Sequence, residues 1–334
     1  MRRITTLIIA LFGLAIAASA QSRIEHFTLK SELLGVEKHY SVYLPDGYDK
    51  SQEKYPILYL LHGAWGTHLS WVREDGERGG HLQRIADAEI AAGRCKKMVV
   101  VMPDARGEGK KNGGKNMGYF NVENWPYEDF FFQEFVPHIE KKFKVLATKE
   151  GRAIAGLSMG GGGSFVYAQR HSDMFNAAYS TSGLLDHRYR PKKVDSYENI
   201  GWYWSVAATS PVEYVRNASA EQLEKLRTVR WMLDCGDDDG IIFTNIDFFV
   251  EMHREKVPVE FLRNASAEQI EKLRTVRWML DCGDDDGIIF TNLNFFVEMH
   301  REKVPVEFRV RNGKHNWAFW RESLPIILRF SFEN

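Results

Sequence analysis

Cysteine is scarce in this 334-residue chain: Cys95, Cys235 and Cys282 are the only three, and their spacing forms no disulfide framework. A chain of this size builds its own core, so a cystine-stapled scaffold is excluded and the thiols read as buried and free. Charge of one sign is also lacking. Lys and Arg total 44 against 45 Asp and Glu, a formal net charge of −1, which leaves no bulk field to gather nucleic acid or an anionic membrane. Long apolar runs are missing as well. The stretch Ile4–Ala17 is interrupted by Thr5, Thr6 and Gly13 and is too short for a membrane span. With 44% apolar and 27% charged residues, the composition excludes disordered, collagen-like and coiled-coil classes.

What is present begins with an address. Arg2 and Arg3 precede the apolar stretch, and Ala18-Ser19-Ala20 supplies the small residues that a signal peptidase needs. Residues 1–20 therefore read as a signal peptide with Gln21 as the mature start, so the expected location is periplasmic or extracellular. A first core helix is the alternative, but it would not require a small-x-small exit. No cysteine follows the cleavage site, so a lipid anchor is not expected.

A near-perfect internal repeat comes next. Residues 216–261 recur at 263–308 with 43 of 46 positions identical and a period of 47; the changes are Leu223 to Ile270, Ile246 to Leu293 and Asp247 to Asn294. Solenoids stack three or more diverged units, so two near-identical copies read as a tandem duplication inside one domain. Without the leader and one repeat unit 267 residues remain, the size of a single α/β domain. The mature region, 21–334, is expected to be that one domain.

Short apolar runs at Tyr55–Gly63, Lys97–Asp104, Arg152–Leu157 and Ala177–Ser182 suit parallel strands covered on both faces. Helical patterns lie between them, at His81–Ala92 and at Glu128–Phe143, where Phe131, Phe135, Ile139 and Phe143 share one stripe and Pro137 predicts a kink. His26–Lys30 and Lys38–Leu44 read as an edge hairpin. The alternation predicts an α/β sandwich with a mostly parallel central sheet.

Gly156-Leu157-Ser158-Met159-Gly160 follows the strand RAIA and opens a helical stretch. This strand–turn–helix setting exposes the Ser158 hydroxyl at the sheet's carboxyl edge, and small neighbours keep the backbone from clashing. A phosphate loop is excluded because no Lys-Ser/Thr follows the glycines. Serine needs a base and the base an orienting acid, in the chain order Ser, Asp or Glu, His. His315, in a loop directly after the strand Val304–Val310, fits that order among eleven histidines. The acid is offered twice: Asp234, Asp237, Asp238 and Asp239 in copy one, Asp281, Asp284, Asp285 and Asp286 in copy two. A calcium loop is the competing reading, but the alternating acids and distal Glu of an EF-hand are absent.

These features together resemble the esterase-D-type family of α/β-hydrolases, in particular its secreted feruloyl and acetyl-xylan esterase branch. The resemblance is carried by Leu60-Leu61-His62-Gly63 with Trp71, Met102-Pro103-Asp104, Phe135-Val136-Pro137-His138-Ile139-Glu140, the stretch Arg152–Gly161, the Cys-Gly-x-x-Asp acid loop and the Gly-x-His loop. It implies Ser158 as nucleophile, His315 as base, the last aspartate of Cys-Gly-Asp-Asp-Asp as acid, and an oxyanion hole from the backbone N–H groups of Met159 and Ala64. The duplication departs from the family pattern. Copy two keeps the direct connection from acid strand through one helix to the His-bearing strand, so Asp286 is the expected acid and Asp239 its alternative.

The implied reaction is acyl transfer to water, with no metal or organic cofactor. Trp125 and Trp317, among the tryptophans in loops or near His315, are expected to contact substrate. The expected partner is an ester of an acylated oligo- or polysaccharide, carrying feruloyl or acetyl groups. Alternatives are a periplasmic hydrolase of siderophore or other small esters and, from another class, a catalytically impaired carbohydrate-binding protein.

Overall fold

The computed structural model describes residues 21–75, 79–186, 209–235, 278–282, 306–310 and 317–332, together with positions 241, 244, 245, 247, 248, 251, 252, 255 and 257. The front of the chain is an antiparallel hairpin, β1 (Arg23–Ser31) and β2 (Val36–Leu44), paired from Arg23↔Leu44 to Ser31↔Val36. It is longer than the expected segments, and its connection closes through Gly35 at φ +66°. Four parallel strands suit the both-faces-buried pattern: β3 (Ile57–Leu61), β4 (Val99–Pro103), then, beyond a two-residue ladder of β5 (Asn121–Val122) and β6 (Trp125–Pro126), β7 (Arg152–Leu157) and β8 (Ala177–Thr181). With β9 (Arg230–Asp234) they form a seven-stranded sheet in the order β1-β2-β4-β3-β7-β8-β9, parallel from β4 to β9.

Alternation along each strand divides the core into two layers. Ile57, Tyr59 and Leu61 of β3 join Val99 and Val101 on one face, whereas Leu58 and Leu60 join Val100 and Met102 on the other. All nine are at most 1% exposed, and full burial of one such side chain contributes about 1.5–3 kcal/mol. Helices α1 (Leu82–Ala91) and α8 (Trp317–Ser331) cover the second face through Leu82, Ala86, Leu324 and Ile327. In chain order between them come α2 (Gly109–Asn112), α3 (Tyr127–Asp129), α4 (Val136–Lys142), α5 (Met159–Arg170), α6 (Pro211–Arg216) and α7 (Ala220–Leu226). Of these, α4 to α7 supply side chains to the first face. The expected Glu128–Phe143 helix takes an irregular course. Pro137 lacks an N–H, and the six residues Phe130–Phe135 before α4 widen into a π-helical segment. Phe131, Phe135 and Ile139 remain buried on the expected stripe.

The repeat is resolved into different places. β9, from copy one, pairs with β8 in parallel register from Ala177↔Arg230 to Thr181↔Asp234. The equivalent strand of copy two, β10 (Trp278–Cys282), lies beside β9 and pairs in parallel with β11 (Val306–Val310). Copy one thus occupies the position next to β8. The sequence connection favoured copy two there, because connectivity to the His-bearing strand is direct; the pairing runs the other way. A capping box starts α7, where Ser219 Oγ accepts from Gln222 N and Gln222 Oε1 accepts from Ser219 N.

Candidate active site

Ser158 stands between β7 and α5 with φ +53° and ψ −117°, a conformation an L-residue reaches only under strain. Close backbone approach accounts for both flanking glycines. A Cβ at Gly156 would lie 2.3 Å from Gly160 O, and one at Gly160 would lie 2.6 Å from both Leu61 O and His62 O. Gly160→Ala is therefore expected to cost about 3 kcal/mol, a Tm lower by about 4–5 °C for a chain this long. A thermal melt within 2 °C of the wild-type value would contradict that reading. The turn is fixed from below by Ser158 N donating to Thr181 O at 3.0 Å. Met159 is the first residue of α5, so its N–H has no acceptor within the helix and is suited to a developing oxyanion.

The second oxyanion donor expected, Ala64, follows His62-Gly63 at the end of β3. A Cβ at Gly63 would lie 3.5 Å from Ser158 Cβ, so this loop and the elbow are in contact. His62 sets its geometry. Ala105 N donates to His62 Nε2 at 2.9 Å, which puts the imidazole proton on Nδ1; Nδ1–H in turn donates to Gly63 O at 2.7 Å. Burial lowers the His62 pKa and keeps the ring neutral. Holding the Gly63 carbonyl fixes the trans peptide plane to Ala64 and turns the Ala64 N–H to the opposite side. Sequence reasoning used His62 only as part of the Leu60-Leu61-His62-Gly63 motif; a histidine two residues before the expected donor, Ala64, was the available signal.

Beneath this loop lies a buried polar group. Lys38 is 1% exposed, donates to Arg106 O at 2.5 Å and sits 5.4 Å from the Trp125 ring centroid. Burial takes its pKa down to about 8. Burial opposes ionisation of Asp104, but the Arg106 hydrogen bonds and charge and the Lys38 ammonium outweigh it and hold that carboxyl below the usual carboxylate range. Trp125 is itself 1% exposed. Its ring is a core element under Lys38 with no open face, which corrects the expected substrate contact there. Trp317 is half-buried and stands edge-on to Trp71 and Trp320, each at 5.3 Å. Trp71 Nε1 donates to Leu61 O at 3.0 Å, so the Trp317 ring at the start of α8 is linked through Trp71 to the end of β3. Lower in α8, Ser323 Oγ donates to Asp234 Oδ2 at 2.6 Å and joins that helix to β9. His315, Asp239 and Asp286 lie outside the described residues. Among the described residues no group of three or more His, Cys, Asp or Glu side chains is arranged to hold a metal ion.

The loop that continues from Ala64 carries His68 against β1 and β2. Its Nδ1 lies 2.7 Å from Ser41 Oγ, and the His26 and His39 rings lie 5.8 and 5.7 Å away. Burial lowers the His68 pKa to about 4; Asp104 raises it, and His39, His26 and Arg106 lower it further. The folded pKa is below the unfolded value of ~6.5, so the unfolded chain takes up this proton first. The stability supplied by neutral His68 is complete above about pH 6.5 and is lost progressively as pH falls towards 4. Melting curves between pH 7 and 4 should fall, and His68→Gln should flatten part of that slope. An unchanged slope in the variant would show that His68 is not responsible.

The comparisons with known proteins extend over this whole arrangement. Residues 31–331 match the family Esterase, described as Putative esterase. An endo-1,4-beta-xylanase/feruloyl esterase of Xylanibacter ruminicola is 38% identical over 156 residues, 46% of this chain and 20% of that protein. Esterase Rv1288 of Mycobacterium tuberculosis is 32% identical over 174 residues, 52% of this chain and 35% of its own. The chain thus spans 20% and 35% of the length of these curated relatives. A solved ferulic acid esterase superposes with a TM-score of 0.68 at 34% identity, covering 93% of this chain and 98% of that one. A feruloyl esterase module from Clostridium thermocellum shares the fold, with a TM-score of 0.59 at 20% identity over 94% of this chain and 89% of its own. With a strained serine at the β7–α5 turn, the Gly63–Ala64 loop in contact with it and a match from residue 31 to residue 331, the chain belongs to the Esterase family of serine carboxylic-ester hydrolases and has the α/β-hydrolase fold.

Proposed function

We propose that this chain is an exported serine esterase that removes feruloyl or acetyl groups from plant cell-wall polysaccharide. The observation that carries the reading is the strained Ser158 in contact with the Gly63–Ala64 loop. Ser158 Oγ attacks the ester carbonyl as His315 takes its proton, the Met159 and Ala64 N–H groups hold the oxyanion, and the protonated His315 then gives the proton to the leaving alcohol. Water repeats the sequence on the acyl-enzyme and regenerates Ser158. Each oxyanion donor is typically worth ~10²–10³ in turnover. Likeness to a ferulic acid esterase over nearly all of both chains supports the acyl class. The leader read in residues 1–20 supports export; among the described residues no helix is long and apolar enough to cross a membrane.

Two constraints bear on the rest of the triad. Covalent geometry keeps the Cα of His315 within ~7.6 Å of that of Trp317, two peptide units away, and Trp317 is packed on Trp71 beside the oxyanion loop. That packing supports His315 as the base from the α8 side of the site. For the acid, the β8–β9 pairing supports the loop of copy one and moves the proposal from Asp286 to Asp239.

The test is an assay of the mature chain on methyl ferulate, acetylated xylan and a short nitrophenyl ester. Cleavage of either cell-wall ester is the expected result. Hydrolysis of the nitrophenyl ester alone would return the substrate to another small ester, such as a siderophore. Sugar binding with no hydrolysis of any ester would leave the impaired binding protein.

A further inference from the structure

We propose that Trp65 is a carbohydrate platform at the rim of the active site, stacking on a sugar ring of the alcohol half of the ester. The inference rests on the esterase reading above and adds where the leaving group is held. Gly66 N donates to Gly63 O at 3.0 Å, so Gly63–Gly66 is a tight turn, and Trp65 is its third residue with φ +61°. A turn position with positive φ favours Gly or Asn, which reach it without steric penalty. Here it holds the bulkiest side chain of all, and that side chain is 62% exposed. Neither burial nor backbone preference explains the residue.

The strained position is braced. Asn116, 1% exposed, accepts from Trp65 N through Oδ1 at 3.2 Å, while its Nδ2 is buried without a hydrogen-bond partner. A buried amide that serves one backbone N–H and leaves its own donor unused is placed for that N–H. Gly66 completes the turn, since a Cβ there would lie 2.8 Å from His62 Nδ1 and 2.9 Å from Gly63 O. The same turn therefore bears the expected oxyanion donor, Ala64, and the exposed indole as adjacent residues.

Exposure selects the ligand. An acyl chain gains by leaving water for an enclosed apolar pocket, and an indole open to solvent offers no enclosure. A sugar keeps its hydroxyls in water and lays the C–H face of its ring on an aromatic plane. Trp65 matches the second demand.

The experiment compares wild type, Trp65→Ala, Trp65→Phe and Asn116→Ala on a feruloylated arabinoxylo-oligosaccharide and on methyl ferulate, which share an acyl group and differ in alcohol. Trp65→Ala should lower kcat/KM on the oligosaccharide at least tenfold, mainly through KM, and stay within twofold on methyl ferulate. Trp65→Phe should recover part of the loss, and Asn116→Ala should fall between wild type and Trp65→Ala. Equal losses on both esters, or none on either, would overturn the platform. Tryptophan fluorescence titration of Ser158→Ala with the unacylated arabinoxylo-oligosaccharide reads the platform separately from turnover. Where even the wild type cleaves neither ferulate ester, so that the esterase reading itself fails, weaker binding upon adding Trp65→Ala still supports the platform, and unchanged binding refutes it in every case.

Discussion

Ser158→Ala is expected to lower ester turnover by about 10⁴–10⁶-fold, the largest effect any single change should have on this chain. The loss follows from the division of labour at the elbow. Without Oγ no acyl-enzyme forms, and what remains is the rate that bound oxyanion donors lend to direct attack by water. The substitution removes one oxygen from a half-buried side chain and leaves the Ser158 N–H bond to Thr181 O in place, so the fold should be kept. Alanine must still adopt φ +53° at this position, and the elbow strain is retained. The measurement is steady-state hydrolysis of a nitrophenyl ester, with a melting curve to show that the variant is folded. A folded variant within tenfold of wild type would remove Ser158 from the mechanism.

The second large effect separates the two copies. With β9 beside β8, Asp239→Asn should lower kcat by about 10⁴-fold, because an amide leaves the catalytic imidazole in the wrong tautomer, whereas Asp286→Asn should stay within about threefold. Removing residues 216–262 supplies the complementary arm. The shortened chain joins Val215 to Arg263 and keeps the RNAS sequence that starts each unit. Copy two then takes the position beside β8, activity should persist, and Asp286 becomes the residue whose Asn variant is inactive. If Asp286→Asn is the inactive variant in the full chain, copy two supplies the acid and the β8–β9 pairing does not decide it. A shortened chain that folds but cleaves nothing would show that neither copy acts as an independent, exchangeable acid loop.

How much of this was legible beforehand depends on the kind of constraint. The strands β3, β4, β7 and β8 stand where continuous apolar runs placed them, since both faces of each are buried and no polar alternation is needed. Ser158 was legible for the same local reason: Gly156 and Gly160 admit the close backbone contacts that the turn demands. Trp125 was misread because a tryptophan flanked by Asn124 and Pro126 looks like a loop residue, while its burial comes from packing into the core with residues distant in sequence. Trp65 was passed over because exposure and a positive φ are properties of the folded turn, invisible in a string of letters. The choice between copies had the most basic obstacle. RWMLDC occurs identically at 230–235 and 277–282, so no propensity or pattern can tell which one binds β8, and only connectivity remained to argue from.

That identity has a consequence in time. The chain is synthesised from its N-terminus, so β8 and β9 both exist before β10 has been made. At ~5–20 residues per second, a lag of 47 residues between equivalent positions lasts about 2–9 s. Pairing of non-local strands takes milliseconds to seconds, which gives copy one the first opportunity to claim the free edge of β8. For a chain that is exported, the same order holds as it emerges N-terminus first on the far side of the membrane, and it favours copy one between two strands of identical sequence. A denatured full-length chain has no such history, and on refolding both strands compete for that edge at once.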